Sequence, residues 1–115
     1  MKTNCGSYQI INRKNLKRYI GVAGNLRSRE ISHFSAMKKN KHQNKKLQKD
    51  FNRYGKCNFI FQIIEYCEKS EIDRMFLLER DIIKFINPKK LYNINLHRGG
   101  GPLKSYIPYS DDLRT

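Results

Sequence analysis

The alternation of apolar and polar residues near the start of this 115-residue chain predicts a β-hairpin. Residues 7–11 and 17–21 have the pattern of strands, and the Asn-Arg-Lys-Asn segment between them is typical of a turn. Residues 58–67 have the pattern of a third strand, with apolar side chains on both faces. Because strands covered on both faces lie inside a sheet, we expect this third strand to be central.

A first helix is predicted over residues 26–37, directly after the hairpin. Asn25 is a suitable N-cap for this helix. Its apolar side chains form a partial face: Leu26, Ile31 and Phe34. Arg29 and His33 are four residues apart, so we expect them to share one side of the helix.

Two further helices are predicted from apolar spacing. Leu47, Phe51 and Tyr54 predict a second helix that ends at Gly55, a favourable C-terminal cap. For the third helix, a Ser-Glu-Ile-Asp segment at residues 70–73 resembles a capping box. This helix should run to about residue 86, where an Asn-Pro pair ends it.

The order of these elements predicts an α+β domain with a small, mainly antiparallel sheet covered by helices. Residues 91–95 are predicted to add a short last strand. We therefore assign residues 1–95 to one domain. Residues 96–115 begin with a Gly- and Pro-containing segment and are expected to be a linker or a disordered tail.

A carboxylate interrupts the apolar face of the third helix. At helical spacing, one narrow stripe of the wheel contains Ile72, Phe76, Glu79, Ile83 and Ile86. A buried carboxylate is costly unless it is paired or coordinates a metal. Two interpretations of Glu79 follow from the residues, a structural ion pair with an Arg and a functional group, and the pattern by itself favours neither.

The charge of the chain points to a polyanionic partner. Lys and Arg total 24 against 10 Asp and Glu, a net charge of +14. Nucleic acid is the first candidate and an anionic membrane surface the second. Residues 38–56 contain eight of the basic residues and one acid, which favours a phosphate-binding surface over a merely solvated one. The expected DNA contacts are Lys38, Lys39, Lys41, His42, Lys45 and Lys46.

The remaining composition favours an intracellular, cytoplasmic protein. The sequence contains no apolar run of the ~20 residues that a spanning helix needs, and its first residues are not those of a secretory signal. Cys5, Cys57 and Cys67 are expected to be reduced thiols, since an odd count does not favour a disulfide framework. A zinc site that uses these cysteines with His97 is the minor alternative.

Several short motifs resemble those of the GIY-YIG nuclease family. The hairpin carries Gly6-Ser7-Tyr8 and Tyr19-Ile20-Gly21, similar to the paired tripeptides that name the family. The other matching elements follow in order: Arg29 and His33, the segment from His42 to Gly55 that resembles the homing-endonuclease branch, Leu78-Glu79-Arg80, and Tyr92-Asn93-Ile94. The chain departs from the pattern at Ser7, which replaces an apolar residue, and at Val22, where a small polar residue is common.

The resemblance implies a fold and a set of roles. The implied fold is a central three-stranded antiparallel sheet flanked by helices. Tyr8 is expected near the attacking water with Tyr19 assisting, Arg29 on the scissile phosphate, and His33 orienting the water or relaying a proton. Asn93 is expected to position a phosphate or to brace Glu79.

The small number of core-facing carboxylates favours one metal ion held by Glu79. Mg²⁺ accepts a single protein carboxylate together with water and substrate oxygens, and Mn²⁺ is expected to substitute for it. The predicted function is therefore a metal-dependent DNA endonuclease, of a freestanding mobile-element or phage type.

Two other functions stay open on the sequence. One is a catalytically inactive nucleic-acid-binding protein of the same fold, which the basic segment supports equally well. The other is a basic protein that binds a membrane surface or a partner. Its one candidate amphipathic helix, with Leu47, Phe51 and Tyr54, is explained more simply by core packing. We expect a monomer in solution, and cutting of both strands would need either two protomers on DNA or two visits by one.

Overall fold

The sheet is built around the first strand of the chain. The structure, a computed structural model, describes residues 4–93. Strands β1 (Cys5–Asn12) and β2 (Arg18–Ala23) form the predicted hairpin, and β3 (Phe59–Cys67) pairs with the other side of β1. Both pairings are antiparallel, so the order is β2-β1-β3.

Three α-helices pack on this sheet, and two of their predicted caps are confirmed. They are α1 (Leu26–Lys38), α2 (Lys45–Tyr54) and α3 (Ile72–Lys84). The side chain of Asn25 accepts a hydrogen bond of 3.0 Å from the backbone N–H three residues on. Gly55 ends α2 with a φ of 89°, a left-handed conformation that glycine adopts without steric cost.

The helices cover both faces of the sheet, and three apolar clusters result among the described residues. Alternate strand residues point to opposite faces. Under α1 and α2 lies the largest cluster, which includes Tyr8, Ile10, Ala23, Leu26, Met37, Leu47, Phe51, Phe59 and Tyr92. Under α3 lie Cys5, Val22, Cys67 and Met75, and next to them Ile20, Ile83 and Leu91. This arrangement confirms the predicted α+β fold with a three-stranded antiparallel sheet.

The prediction that the third strand is central is wrong. β3 lies at an edge of the sheet, and β1 takes the central position. Helix α3 packs on β2 and β1, which leaves apolar side chains of β3 exposed, among them Ile60, Ile64 and Tyr66. β3 therefore carries apolar residues on both faces although helices do not bury both of its faces.

The predicted apolar face of α1 is also wrong in one residue. Ile31 is 58% exposed, whereas Arg29 and His33 are buried. The side of α1 that meets the sheet thus contains the polar pair, which lies on one side of the helix as predicted. Because the buried side of α1 contains both polar and apolar residues, apolar spacing alone does not identify it.

The start of α3 differs from the prediction as well. The capping box uses Glu68 and Glu71, which flank a 3₁₀ turn at Lys69–Glu71, and not Ser70 and Asp73. The chain enters α3 through this turn. The first helical hydrogen bonds are therefore made before Ile72, the first apolar residue of the predicted stripe. Glu71 is the N-cap of α3, but its side chain bonds back to the Glu68 N–H and does not cap α3 itself.

The end of the described chain returns to β2. Leu91 makes an isolated parallel bridge with Arg18, and the Tyr92 N–H donates to the Arg18 carbonyl at 2.8 Å. The predicted last strand is reduced to this bridge over residues 91–93, and its residues 94–95 lie outside the described residues. The tail predicted over residues 96–115 lies outside them as well.

Two of the cysteines are packed, as expected. Cys5 and Cys67 are buried opposite each other with their Sγ atoms 2.7 Å apart, and Cys57 is exposed. Burial raises the pKa of the Cys67 thiol to about 12, which keeps it protonated at neutral pH. His97, which the alternative zinc site requires, is outside the described residues. Across residues 4–93, every helix is too short or too polar to span a membrane.

Candidate active site

The centre of the site is the phenol of Tyr8 on the middle strand. Tyr8 is fully buried, and its ring stacks on Phe61 with centroids 4.8 Å apart. Its partner in the β1–β2 register is Gly21, and a Cβ atom at that position would overlap the phenol. A Cβ atom at Gly6 would overlap the backbone carbonyl of Glu65 on β3. The two motif glycines therefore allow the phenol and the neighbouring strand to approach closely.

A chain of hydrogen bonds leads from this phenol into the loop before α2. Tyr8 Oη and His33 Nε2 are 2.7 Å apart, and His33 Nδ1 and His42 Nε2 are 2.8 Å apart. The Asn44 backbone N–H donates to His42 Nδ1 at 3.0 Å. The planes of the two imidazole rings are nearly parallel, 14° apart, and the ring centroids are 5.0 Å apart. Side chains from β1, α1 and the loop are thus joined in one buried array.

Both imidazoles are neutral at neutral pH. Burial, together with charge repulsion from the adjacent His42 and Arg29, lowers the pKa of His33 from 6.5 to about 3. Burial lowers the pKa of His42 to about 4. Neutral rings can each donate one hydrogen bond and accept another, which suits them to a directed chain.

Tyr19 and Arg29 border the same array. The Tyr19 ring lies 6.4 Å from the Tyr8 ring and 5.3 Å from the His33 ring, centroid to centroid, and meets His33 edge-on. Arg29 is 4% exposed and lies one helical turn before His33 on α1. Its guanidinium acts electrostatically on His33, so this side chain lies close to the imidazole of the array.

Glu79 is fully buried on the face of α3 that packs on the sheet. Met75 and Ile83 lie one turn on either side of it and pack against Val22 and Ile20 of β2 respectively. Glu79 therefore lies at the level of Gly21, the residue over which the Tyr8 phenol rests. The placement of a carboxylate on the buried stripe of the third helix is confirmed.

Asn93 is fastened to the edge strand β2. Its Oδ1 accepts a hydrogen bond from the Ile20 N–H, and its Nδ2 donates to the Ile20 carbonyl, both at 2.9 Å. These two hydrogen bonds fix β2 at Ile20, the neighbour of Gly21. They use the amide oxygen of Asn93 and one of its two amide N–H groups. A phosphate contact by Asn93 stays a prediction and would have to use the second N–H.

The expected DNA contacts fall into two groups. Lys38, Lys39, Lys41, Lys45 and Lys46 are all exposed, as a phosphate-binding surface requires. His42 is 7% exposed and lies behind His33 instead of among the lysines.

Sequence reasoning missed two residues that hold His42 in place, Asn44 and Gln48. The polar residues that precede and open α2 are a signal that could have found both. The Asn44 side chain caps α2 by accepting from the backbone N–H of Leu47, and the Gln48 side chain accepts from the backbone N–H of His42, each at 3.0 Å.

The donors present fit a hard divalent cation with Glu79 as its protein carboxylate. Among residues 4–93, no three His, Cys, Asp or Glu side chains are grouped so that they could hold an ion together. A single carboxylate completed by water and phosphate oxygens is a coordination that Mg²⁺ accepts. The site can thus combine a cation-binding carboxylate, a fixed guanidinium and hydrogen-bonded phenols, which are the groups that phosphate chemistry requires.

The chain is similar to two curated endonucleases. It is 38% identical over 97 residues to a probable intron-encoded endonuclease 1 of Neurospora crassa, a match covering 81% of this chain and 31% of that protein. It is 35% identical over 92 residues to intron-associated endonuclease 1 of Enterobacteria phage T4, covering 77% of this chain and 36% of that protein. The chain thus spans about a third of the length of these relatives.

Solved structures and a family model match the same region. The catalytic domain of the homing endonuclease I-TevI superposes with a TM-score of 0.70 and 36% identity, covering 78% of this chain and 97% of that one. A glutamate-to-alanine mutant of the I-TevI catalytic domain gives a TM-score of 0.67 and 37% identity, covering 82% of this chain and 94% of that one. The family model of the GIY-YIG catalytic domain matches residues 4–93. With this match and the shared fold, the chain belongs to the GIY-YIG catalytic domain family.

Proposed function

We propose that this chain is a divalent-metal-dependent endonuclease that hydrolyses phosphodiester bonds in DNA. The observation that carries the proposal is the buried array of Tyr8, His33 and Arg29 at the strand level of a buried Glu79. This array lies in a fold shared with the catalytic domain of a homing endonuclease. The names of both curated relatives associate them with introns, which supports a mobile-element or phage-type enzyme.

Hydrolysis requires that a water lose a proton as its oxygen attacks phosphorus. Tyr8 is the proposed group next to this water and, in its ionised form, accepts the proton, because its oxygen lies at the centre of the buried array. Tyr19, at the border of the array, assists it. The new bond joins the water oxygen to phosphorus, the bond from phosphorus to the leaving sugar oxygen breaks, and that oxygen must gain a proton or a cation.

Arg29 and His33 are the proposed positioning groups for phosphate and water. A guanidinium presents two parallel N–H donors that match two phosphate oxygens, and its charge offsets the charge that builds up in the transition state. His33 holds the Tyr8 phenol through their 2.7 Å hydrogen bond, so that the phenol oxygen is aimed before the substrate arrives.

Glu79 is the proposed protein ligand of one Mg²⁺, for which Mn²⁺ is expected to substitute. When bound, this ion supplies positive charge to the phosphate and to the leaving oxygen. The apolar neighbours Met75 and Ile83 hold Glu79 in a fixed position at the level of Gly21. The exposed lysines of residues 38–46 position the duplex through its phosphates and contribute little to sequence preference.

The proposal is tested with supercoiled plasmid and Mg²⁺. The wild-type chain is expected to nick the plasmid, and Glu79→Gln to lower the rate by at least about 10²-fold, because an amide keeps the shape and removes the charge. Glu65→Gln is the matched control, since Glu65 is an exposed carboxylate whose nearest cation is Arg74 at 3.8 Å. Equal nicking by both variants would reject Glu79 as the metal ligand.

Two further outcomes decide between the remaining alternatives. Because one site cuts one strand at a time, nicked circles should form before linear plasmid. Tight binding of DNA without any cleavage in Mg²⁺ or Mn²⁺ would establish the inactive nucleic-acid-binding protein instead. Neither outcome depends on the sequence preference of the enzyme if a set of different plasmids is used.

A further inference from the structure

The hydrogen-bond chain behind Tyr8 has a direction that its first donor imposes. A backbone N–H can only donate, so the Asn44 N–H requires a lone pair on His42 Nδ1. A neutral His42 then carries its proton on Nε2 and donates it to His33 Nδ1. His33 therefore carries its own proton on Nε2, the atom that lies 2.7 Å from Tyr8 Oη.

The neutrality that this argument needs follows from burial. The pKa of His33 is lowered to about 3 and that of His42 to about 4, in both cases chiefly by loss of solvent. A protonated His42 would turn an N–H toward the Asn44 N–H, and the two donors would repel each other. The neutral tautomers with the proton on Nε2 satisfy all three hydrogen bonds at once.

The backbone that carries the His42 ring is also held in place. The Gln48 side chain accepts from the backbone N–H of His42 and donates to the Met37 carbonyl, each at 3.0 Å. The Asn44 side chain donates to the Tyr92 carbonyl at 2.7 Å, which keeps the Asn44 backbone N–H in place. A flip of the His42 ring would break the bonds at both of its nitrogens, so the direction of the chain is built into the fold.

We propose that His42 is a positioning residue which, with the Asn44 backbone N–H, sets the tautomer of His33 so that Tyr8 receives a hydrogen bond from it. Two consequences follow. The hydrogen bond from His33 stabilises the ionised form of the phenol, which gains a donor. His33 cannot take the proton of Tyr8 while its Nε2 is protonated, so it acts as a donor to Tyr8 and not as its base. The effect on cleavage rests on the proposed function, whereas the tautomer does not.

The first experiment measures the tautomers directly. The ¹⁵N shifts of the imidazole nitrogens distinguish the two neutral forms, and His97, the remaining histidine of the chain, serves as an internal reference. In the wild-type protein at pH 7, His33 and His42 are expected to carry their protons on Nε2. A wild-type His33 with its proton on Nδ1 would overturn the proposal whether or not the protein cleaves DNA.

The second experiment compares two substitutions at one position. His42→Leu removes the donor to His33, so a mixture of His33 tautomers is expected, with kcat for plasmid nicking lowered roughly 10- to 100-fold and little change in KM. His42→Gln places an amide N–H near the former Nε2 and is expected to restore the single tautomer and most of kcat. Equal kcat for the Leu and Gln variants would contradict the proposal.

The neighbouring Lys41→Leu is the matched contrast, since Lys41 is exposed and is expected to act through DNA binding. It should raise KM and leave the His33 tautomer unchanged. Two-dimensional amide spectra identify any variant that fails to fold, and the wild-type tautomer then still decides the proposal. If the wild-type protein cleaves no DNA, the proposed function fails, while the tautomer measurement continues to test the role of His42.

Discussion

Helices α1 and α3 are both 13 residues long and pack on opposite faces of the same sheet, but they bury their polar groups differently. In α1 the buried side contains Arg29 and His33 between apolar residues at the two ends of the helix. In α3 a single carboxylate, Glu79, lies between Met75 and Ile83. On the buried side of α3, Glu79 is thus flanked by apolar residues. On the buried side of α1, Arg29 and His33 are two of the four buried residues.

This difference separates two ways of holding a reactive group. The buried polar side of α1 depends on hydrogen bonds that run from Tyr8 through two imidazoles to the Asn44 backbone. α3 is held by apolar contacts with β2 on both sides of Glu79. We therefore expect stability and activity to be linked along α1, and the effect on activity to be largest at Glu79.

The largest expected effect is at the carboxylate of α3. Glu79→Leu should lower the rate of DNA cleavage by at least about 10³-fold, because the proposed metal ion loses its protein carboxylate. Plasmid nicking measures this rate, and a rate equal to that of the wild-type chain would contradict the prediction. Urea unfolding of the same variant shows whether Glu79 also contributes a structural ion pair, the alternative that the sequence left open.

A smaller effect is expected at the guanidinium of α1. Arg29→Lys should lower cleavage by about 10²-fold, since an ammonium cannot present two parallel donors to a phosphate. Arg27→Lys is the matched control, because Arg27 is exposed on the same helix. The same rate for both variants would remove Arg29 from the proposed phosphate site.

Stability should depend on pH through the α1 side of the molecule. The folded-state pKa values of His33 and His42 lie below the ordinary value of 6.5, so the unfolded chain binds protons first. The free energy of unfolding should then be greatest above pH 6.5 and fall by up to about 1.4 kcal/mol per pH unit for each ring as the pH decreases.

Urea unfolding between pH 7 and pH 5 measures this slope before most carboxylates titrate. A double variant with His33→Gln and His42→Gln should show a shallower slope. If the slope is unchanged in that variant, the buried imidazoles are not its source.

The smallest expected effect concerns how the two helices begin. Asn25→Ala removes the side-chain cap of α1 and should lower the free energy of unfolding by about 1 kcal/mol. Glu71→Ala, at the N-cap of α3, should cost less, because the Glu71 side chain does not cap that helix and its bond to the Glu68 N–H is long, at 3.4 Å. Urea unfolding of both variants at pH 7 checks the order, and an equal loss would contradict it.

Local pattern sufficed for much of the fold and for one member of the site. The hairpin, the three helices, the caps at Asn25 and Gly55 and the buried position of Glu79 follow from residue spacing. Glu79 was recognisable because a single polar residue stands out in an apolar stripe. Where the polar residues themselves form the buried side, as in α1, the same criterion selected the exposed Ile31.

By itself, the sequence determined which segments form strands and helices, which face of α3 is buried, and that the chain is strongly cationic. Only the tertiary structure decided that β1 and not β3 is central, that Asn93 braces Ile20, and that His42 lies behind His33. The physical reason is that periodicity reports burial along one element, whereas strand order and hydrogen bonds between distant residues depend on how the elements pack together.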